Sequence, residues 1–157
     1  MTGANARLHL TVNGAEHDID VDPRWTLADV LRLRLRQTGT HVGCEHGVCG
    51  TCTVLLDGLP IRSCLVLAGQ ADRCVVETVE GLGTAECPHP LQVAFSRHRA
   101  LQCGFCTPGF LMLAVGLLRM NPFPDRDTIR EAVASNLCRC TAYDGIISAI
   151  EEVSRCC

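Results

Sequence analysis

Apolar and polar residues alternate at the start of the chain. Leu8-His9-Leu10-Thr11-Val12 has the period of two that a half-buried strand requires. Asn13-Gly14 supplies the positive φ angles of a type I′ turn, and residues 15–21 (AEHDIDV) read as the returning strand. Asp22-Pro23 ends this hairpin. Thr26-x-x-Asp29 then has the form of a capping box and predicts a helix start. Residues 31–36 alternate Leu and Arg as a strand would, yet Leu27, Val30, Leu31 and Leu35 recur at helical spacing. With the cap in front of them, a helix is predicted.

A glycine-punctuated loop follows, TGTHVGCEHGVCG, and then TCTVLLDG reads as a strand ending in an Asp57-Gly58 turn. LPIRSCLVL continues beyond the turn, and residues 74–81 (CVVETVEG) form a further β-rich run. Several strands and one helix in this stretch imply an α+β domain over residues 1–81. The pattern changes after Gly81. GLGTAECPHP has the composition of a linker, at about 82–89, and Pro90 opens a helix through about Arg99. A second helix, Pro108 to Met120, is broken by Asn121-Pro122-Phe123-Pro124. Asp127 is expected to cap a third through about Leu137, and a fourth spans Asp144 to Ser154. Four helices over residues 90–157 fit a small bundle.

Two domains in 157 residues would each have a thin core. A metal group in each would supply the missing cross-links. The net charge of −3, with scattered Lys and Arg, leaves no nucleic-acid footprint. The amino terminus is polar, without the apolar core of a signal peptide, and the longest apolar run, Phe110 to Leu118, is about half a membrane span. A cytoplasmic protein is expected. There thiols stay reduced, so grouped cysteines point to metal rather than disulfides.

Eight of the 12 cysteines form two sets of four. The first, Cys44-x4-Cys49-x2-Cys52 with a later Cys64, has the plant-type [2Fe–2S] spacing. Gly43, Gly47 and Gly50 are expected to let its backbone turn tightly and aim amides at cluster sulfurs. The second set pairs Cys103-x2-Cys106 with Cys138-x-Cys140. That spacing suits a structural zinc almost as well as a cluster. Cys103 and Cys106 precede a helix start, whose dipole would favour thiolate charge. Cys74 is expected to be a buried small hydrophobe, and Cys87, Cys156 and Cys157 have no assigned role. His41, His46, His89 and His98 read as surface histidines, because eight cysteines leave no ligand vacancy. The Arg32, Arg34, Arg36 series reads as a solvated face. No nucleophile with an adjacent base, phosphate loop or dinucleotide fingerprint is present, so substrate chemistry must lie elsewhere.

GCEHGVCGTCTVLLDG with Cys64, followed by LQCGFCTPGFLM and NLCRCTAY, resembles the small iron–sulfur subunit of the xanthine oxidase family of molybdenum hydroxylases. The likeness runs from about Leu8 to Val153. It implies a plant-ferredoxin-like β-grasp domain followed by an all-α four-helix-bundle domain, with a cluster on each cysteine set. It also implies partners: a large subunit with a molybdenum–pterin cofactor and a medium FAD subunit, assembled as a dimer of heterotrimers. By the same resemblance, electrons pass from molybdenum to the cluster of Cys103, Cys106, Cys138 and Cys140. They continue to that of Cys44, Cys49, Cys52 and Cys64, and then to FAD. Gln102 and Cys140 match positions that lie against the pterin. Ser135 and Ala142 stand where the family usually has glycines, and Ala142 would be strained if that position needs a positive φ. Two other readings compete. A free-standing two-cluster, ferredoxin-like carrier is one, against which the helical domain argues because a free carrier needs only one exposed cluster; a zinc-stabilised interaction module, which would be colourless, is the other. The substrate is not encoded in this chain.

Overall fold

The computed structural model describes residues 6–155; Cys156 and Cys157 lie outside the described residues. The predicted hairpin is present. Strands β1 (Ala6–Val12) and β2 (Ala15–Val21) pair antiparallel from Ala6↔Val21 to Val12↔Ala15, and Asn13 and Gly14 have φ of 49° and 82°. Strands β3 (Thr53–Leu56) and β4 (Leu59–Arg62) form a second hairpin around Asp57-Gly58, and β5 (Val75–Glu77) completes a five-stranded sheet in the order β2-β1-β5-β3-β4. The β1–β5 pair is parallel and the others are antiparallel.

The capping box opens helix α1 (Leu27–Asp29), but the α-helical geometry does not last. From Val30 to Arg34 the chain widens into a π-helical turn, with the Leu35 amide donating to the Val30 carbonyl at 3.1 Å. Leu27, Val30 and Leu31 turn inward while Leu33 faces solvent. The arginines here are not merely solvated. Arg32 donates to the Thr38 and Thr40 carbonyls at 2.8 and 2.7 Å, and Arg34 donates to the Asp20 carbonyl and stacks over Trp25.

Four helices follow: α2 (Pro90–Arg97), α3 (Thr107–Met120), α4 (Arg126–Ala134) and α5 (Tyr143–Ser154). The cap of α4 is Asp125, whose carboxylate accepts the Thr128 amide at 2.8 Å; Asp127 instead pairs with Arg130 one turn on. His89 is not an idle surface histidine, since its ring accepts the Leu91 amide and caps α2, and burial lowers its pKa, favouring the unprotonated ring that accepts. His98 pairs with Glu152, tying α2 to α5.

Among the described residues two large apolar cores form, one on each face of the sheet, with a small third cluster of Ala28, Cys52 and Cys64. Leu8, Leu10, Val12, Leu27, Leu31 and Val54 fill one, while Leu55 joins Phe95, Phe110, Ile129 and Ile146 in the other. Consecutive residues of β3 therefore serve opposite cores, because side chains alternate across a strand. Helix α3 is the central element of the second core and is buried at every position from Gly109 to Leu117. It can lie close to the sheet hairpin because a Cβ at Gly109 would come within 2.5 Å of the Gly50 carbonyl, and one at Gly116 within 2.8 Å of Pro60. Among the described residues no helix is long and apolar enough to cross a membrane.

Candidate iron–sulfur centres

The first cysteine set lies on the loop between α1 and β3, closed by Cys64 beyond β4. Glu45, Gly47 and Gly50 have positive φ, so the backbone reverses repeatedly around the thiols. Gly43 does not; its missing side chain instead leaves room, since a Cβ there would sit 3.4 Å from both Cys49 Sγ and Phe105. The Cys49 amide donates to Cys44 Sγ at 3.4 Å. That bond and the His46 amide hold the Cys44 thiolate and pull its pKa down to about 6. Cys64 is buried, which pushes its thiol up to about 11, with the neighbouring Cys52 adding to the rise.

The second set is assembled from two segments, 103–106 ahead of α3 and 138–140 between α4 and α5. Amide donation from Phe105 lowers the Cys103 pKa, with Cys140 contributing. Cys106 is the residue on which α3 begins, yet the helix dipole does not prevail there. Burial, then the adjacent Cys138, pushes its thiol up to about 12. Ala142 donates its amide to Cys138 Sγ at 3.4 Å, and the Cys138 amide donates to Tyr143 Oη at 2.8 Å. Ala142 has φ of −75° and is unstrained; the left-handed residue in this turn is Thr141, at 60°. Ser135 also has an ordinary φ of −74°.

Within each set the thiols that interact most directly form pairs. Cys44 meets Cys49 and Cys64 meets Cys52; Cys103 meets Cys140 and Cys106 meets Cys138. Among the described residues, no three Cys, His, Asp or Glu side chains converge on a point that could hold one metal ion. Four thiols in each of two sets are the donor complement of two [2Fe–2S] groups. The hydroxyl of Thr107, beside Cys106, is buried without a hydrogen-bond partner, so a sulfur acceptor next to it would satisfy a stranded donor. These observations fit two [2Fe–2S] groups.

A cavity of about 350 Å³ lies between the sets and is bounded by Cys44 and Cys49 on one side and by Cys103, Cys106 and Cys138 on the other. Phe105 stands in its wall, stacked 5.0 Å from the ring of His41, which also bonds the Phe105 carbonyl. Gln102 donates to the Cys140 carbonyl at 2.8 Å, so these two sequence-matched residues are neighbours on the exposed side of the second set. Cys74 is half-buried rather than buried, and Cys87 is exposed. Sequence reasoning did not single out Phe105, Thr107, Asn136 or Tyr143. A cysteine within three residues in the sequence was their one available signal.

The fold and the two thiol sets have the form of a two-site [2Fe–2S] protein. Residues 10–73 match the 2Fe-2S iron-sulfur cluster binding domain, and residues 78–151 match the [2Fe-2S] binding domain. The chain is 52% identical to the nicotine 6-hydroxylase small subunit of Paenarthrobacter nicotinovorans, covering 91% of this chain and 86% of that one. It is 53% identical to the caffeine dehydrogenase subunit gamma of Pseudomonas sp. (strain CBB1), covering 94% and 90%. The crystal structure of quinoline 2-oxidoreductase from Pseudomonas putida 86 superposes with a TM-score of 0.92 at 52% identity, covering 97% of this chain and 94% of that one. The chain belongs to the small iron–sulfur subunits of the molybdenum hydroxylases, whose members are subunits of oxidoreductase complexes.

Proposed function

We propose that this chain is the electron-transfer subunit between a molybdenum–pterin centre and FAD, each carried by a partner subunit, in a dimer of heterotrimers. Cys44, Cys49, Cys52 and Cys64 would hold the flavin-side [2Fe–2S] group; Cys103, Cys106, Cys138 and Cys140 would hold the molybdenum-side one. Each group, when bound, takes up and releases one electron at a time. Gln102 and Cys140 would meet the pterin. Residues 1–81 and 90–157 form the two domains, the second a four-helix bundle, and a cytoplasmic setting keeps the thiols reduced.

The observation that carries this reading is that two sets of four cysteines, one in each of two matched [2Fe–2S] segments, border one cavity. The chain's own contribution is to hold sulfur, to aim the Cys49, Phe105 and Ala142 amides at it, and to keep water from the buried thiols Cys52, Cys64 and Cys138. Hydrogen-bond donors and burial are what set the potential of such centres.

The test is to purify the chain with its partner subunits and measure iron, labile sulfide and the EPR spectrum after dithionite reduction. Two distinct reduced-cluster signals are expected. Zinc without iron would establish the interaction-module reading, and elution of the native chain alone near 17 kDa would establish the free carrier. Substrate selection belongs to the large subunit. The relatives named above are called after nicotine, caffeine and quinoline, so N-heterocycles are the first substrates to assay with the complex.

A further inference from the structure

Three consecutive residues just ahead of Cys138 are each bonded to the N-terminal half of the chain. The Ser135 carbonyl accepts from Arg62 at 2.8 Å, Asn136 Nδ2 donates to the Gly50 carbonyl at 3.1 Å, and the Leu137 amide donates to the Cys49 carbonyl at 2.9 Å. Leu137 is 50% exposed, so burial of its own side chain does little to hold it there. Asn136 is different. It is 1% exposed, and its carboxamide lies so close over Gly50 that a Cβ on that glycine would come within 2.0 Å of Asn136 Oδ1. Gly50 also has φ of 69°, and its carbonyl is shared with the Thr53 amide and hydroxyl.

The Leu137–Cys49 bond has a particular position. Cys49 belongs to the first thiol set, and Leu137 is covalently joined to Cys138 of the second. From Cys49 Sγ to Cys138 Sγ the route therefore follows covalent bonds throughout, apart from one hydrogen bond. The alternative is to pass from one set to the other without a bonded bridge, across the cavity in whose wall Phe105 stands. Electronic coupling falls off faster through space than through bonds, so the bonded route is favoured.

We propose that Asn136 is a positioning residue for electron transfer between the two clusters: by clamping Gly50 it holds the adjacent Cys49–Leu137 hydrogen bond through which the clusters are coupled. This rests on the two-cluster reading. Nothing is transferred except the electron; no bond is made or broken. Groups that orient metal ligands by hydrogen bonds commonly cost ten- to a hundredfold in metal affinity or activity when removed, and a group one residue from a ligand is expected at the lower end.

The experiment uses the complex purified with its partner subunits. A flash-generated one-electron reductant is followed by rapid-freeze EPR, which reports redistribution of the electron between clusters and needs no substrate. Asn136→Ala and the near-isosteric Asn136→Leu, which has no donor, are each expected to retain full iron and sulfide and to slow redistribution about tenfold. Glu77→Gln, which touches neither Asn136 nor the Cys49–Leu137 bond, is expected to redistribute at the wild-type rate. Unchanged redistribution in both Asn136 variants overturns the proposal. If neither variant holds iron, the wild-type complex still decides. Hydrogen exchange at the Leu137 amide must be slow despite the exposure of that residue, and exchange as fast as in neighbouring exposed turns overturns the proposal. A wild-type complex without two cluster signals would instead sink the two-cluster reading itself.

Discussion

The two thiol sets are built by different means. Cys44, Cys49 and Cys52 lie within one loop, where left-handed backbone at Glu45, Gly47 and Gly50 curls the chain about the sulfur atoms. Cys64 arrives across a tight hairpin whose strands pair over four residues. Cys103 and Cys106 reach Cys138 and Cys140 only because α3 and α4 fold back between them over one apolar core. The first set thus depends on local backbone conformation, and the second on the integrity of a distant core. Damage to helices should therefore cost the second cluster first, whereas damage to the loop conformation should cost the first.

Removing a ligand tests this separation most severely. Cys103 is exposed, so Cys103→Ser disturbs little packing. Its expected outcome is loss of about half the iron, disappearance of one EPR signal and survival of the other. Flavin reduction should stop while molybdenum remains reducible by substrate. Loss of both signals would mean that the sets are not independent. Phe110→Ala acts on the same set through the core. Phe110 is fully buried and meets Tyr143 edge-on at 6.1 Å, and Tyr143 in turn accepts the Cys138 amide. A cost of about 3–5 kcal/mol is expected for such a truncation. Thermal melts should show the second cluster bleaching earlier than in the wild type, with the first little changed.

Gly50→Ala approaches the comparison from the other side. An alanine at φ of 69° costs about 1–2 kcal/mol, and the new Cβ, 2.0 Å from Asn136 Oδ1, adds about 1–3 kcal/mol of overpacking. Denaturant titration should give the sum. Cys49 precedes Gly50 directly, so the first cluster's spectrum should change more than the second's.

Much of this arrangement was legible in the chain, and unevenly so. Both hairpins were readable from Asn13-Gly14 and Asp57-Gly58, because only a few residue types tolerate the φ angles of those turns. The first thiol set was readable from spacing, since local backbone builds it. The second required likeness to a family, because what brings residues 103–106 to 138–140 is packing between helices distant in sequence. One error has a longer-range cause and the other a local one. The Leu-Arg series became a π turn because Arg32 and Arg34 found carbonyl partners beyond the helix, and Asp125 displaced Asp127 as a cap because it stands at the helix entrance. The clamp of Asn136 on Gly50 spans 86 positions and has no local signature.

The smallest effect tests whether surface pairs help to join the two halves. Arg119, at the end of α3, forks onto Glu77 of β5 with side chains 47% and 31% exposed, and its guanidinium holds the Glu77 carboxyl below the ordinary value of 4.5. Such a screened pair is worth about 0.5 kcal/mol, against the several kcal/mol expected from Phe110. The sign follows from the lowered carboxyl: the stabilisation is complete above pH 4.5 and is lost as pH falls through the still lower folded value. Glu77→Gln should therefore shift the denaturation midpoint slightly at pH 7, and this difference should shrink at pH 4 and below. Both cluster signals should stay at wild-type intensity. A cost as large as that of Phe110→Ala would mean that the surface pair, and not the burial of α3 against β3, holds the helical half to the sheet.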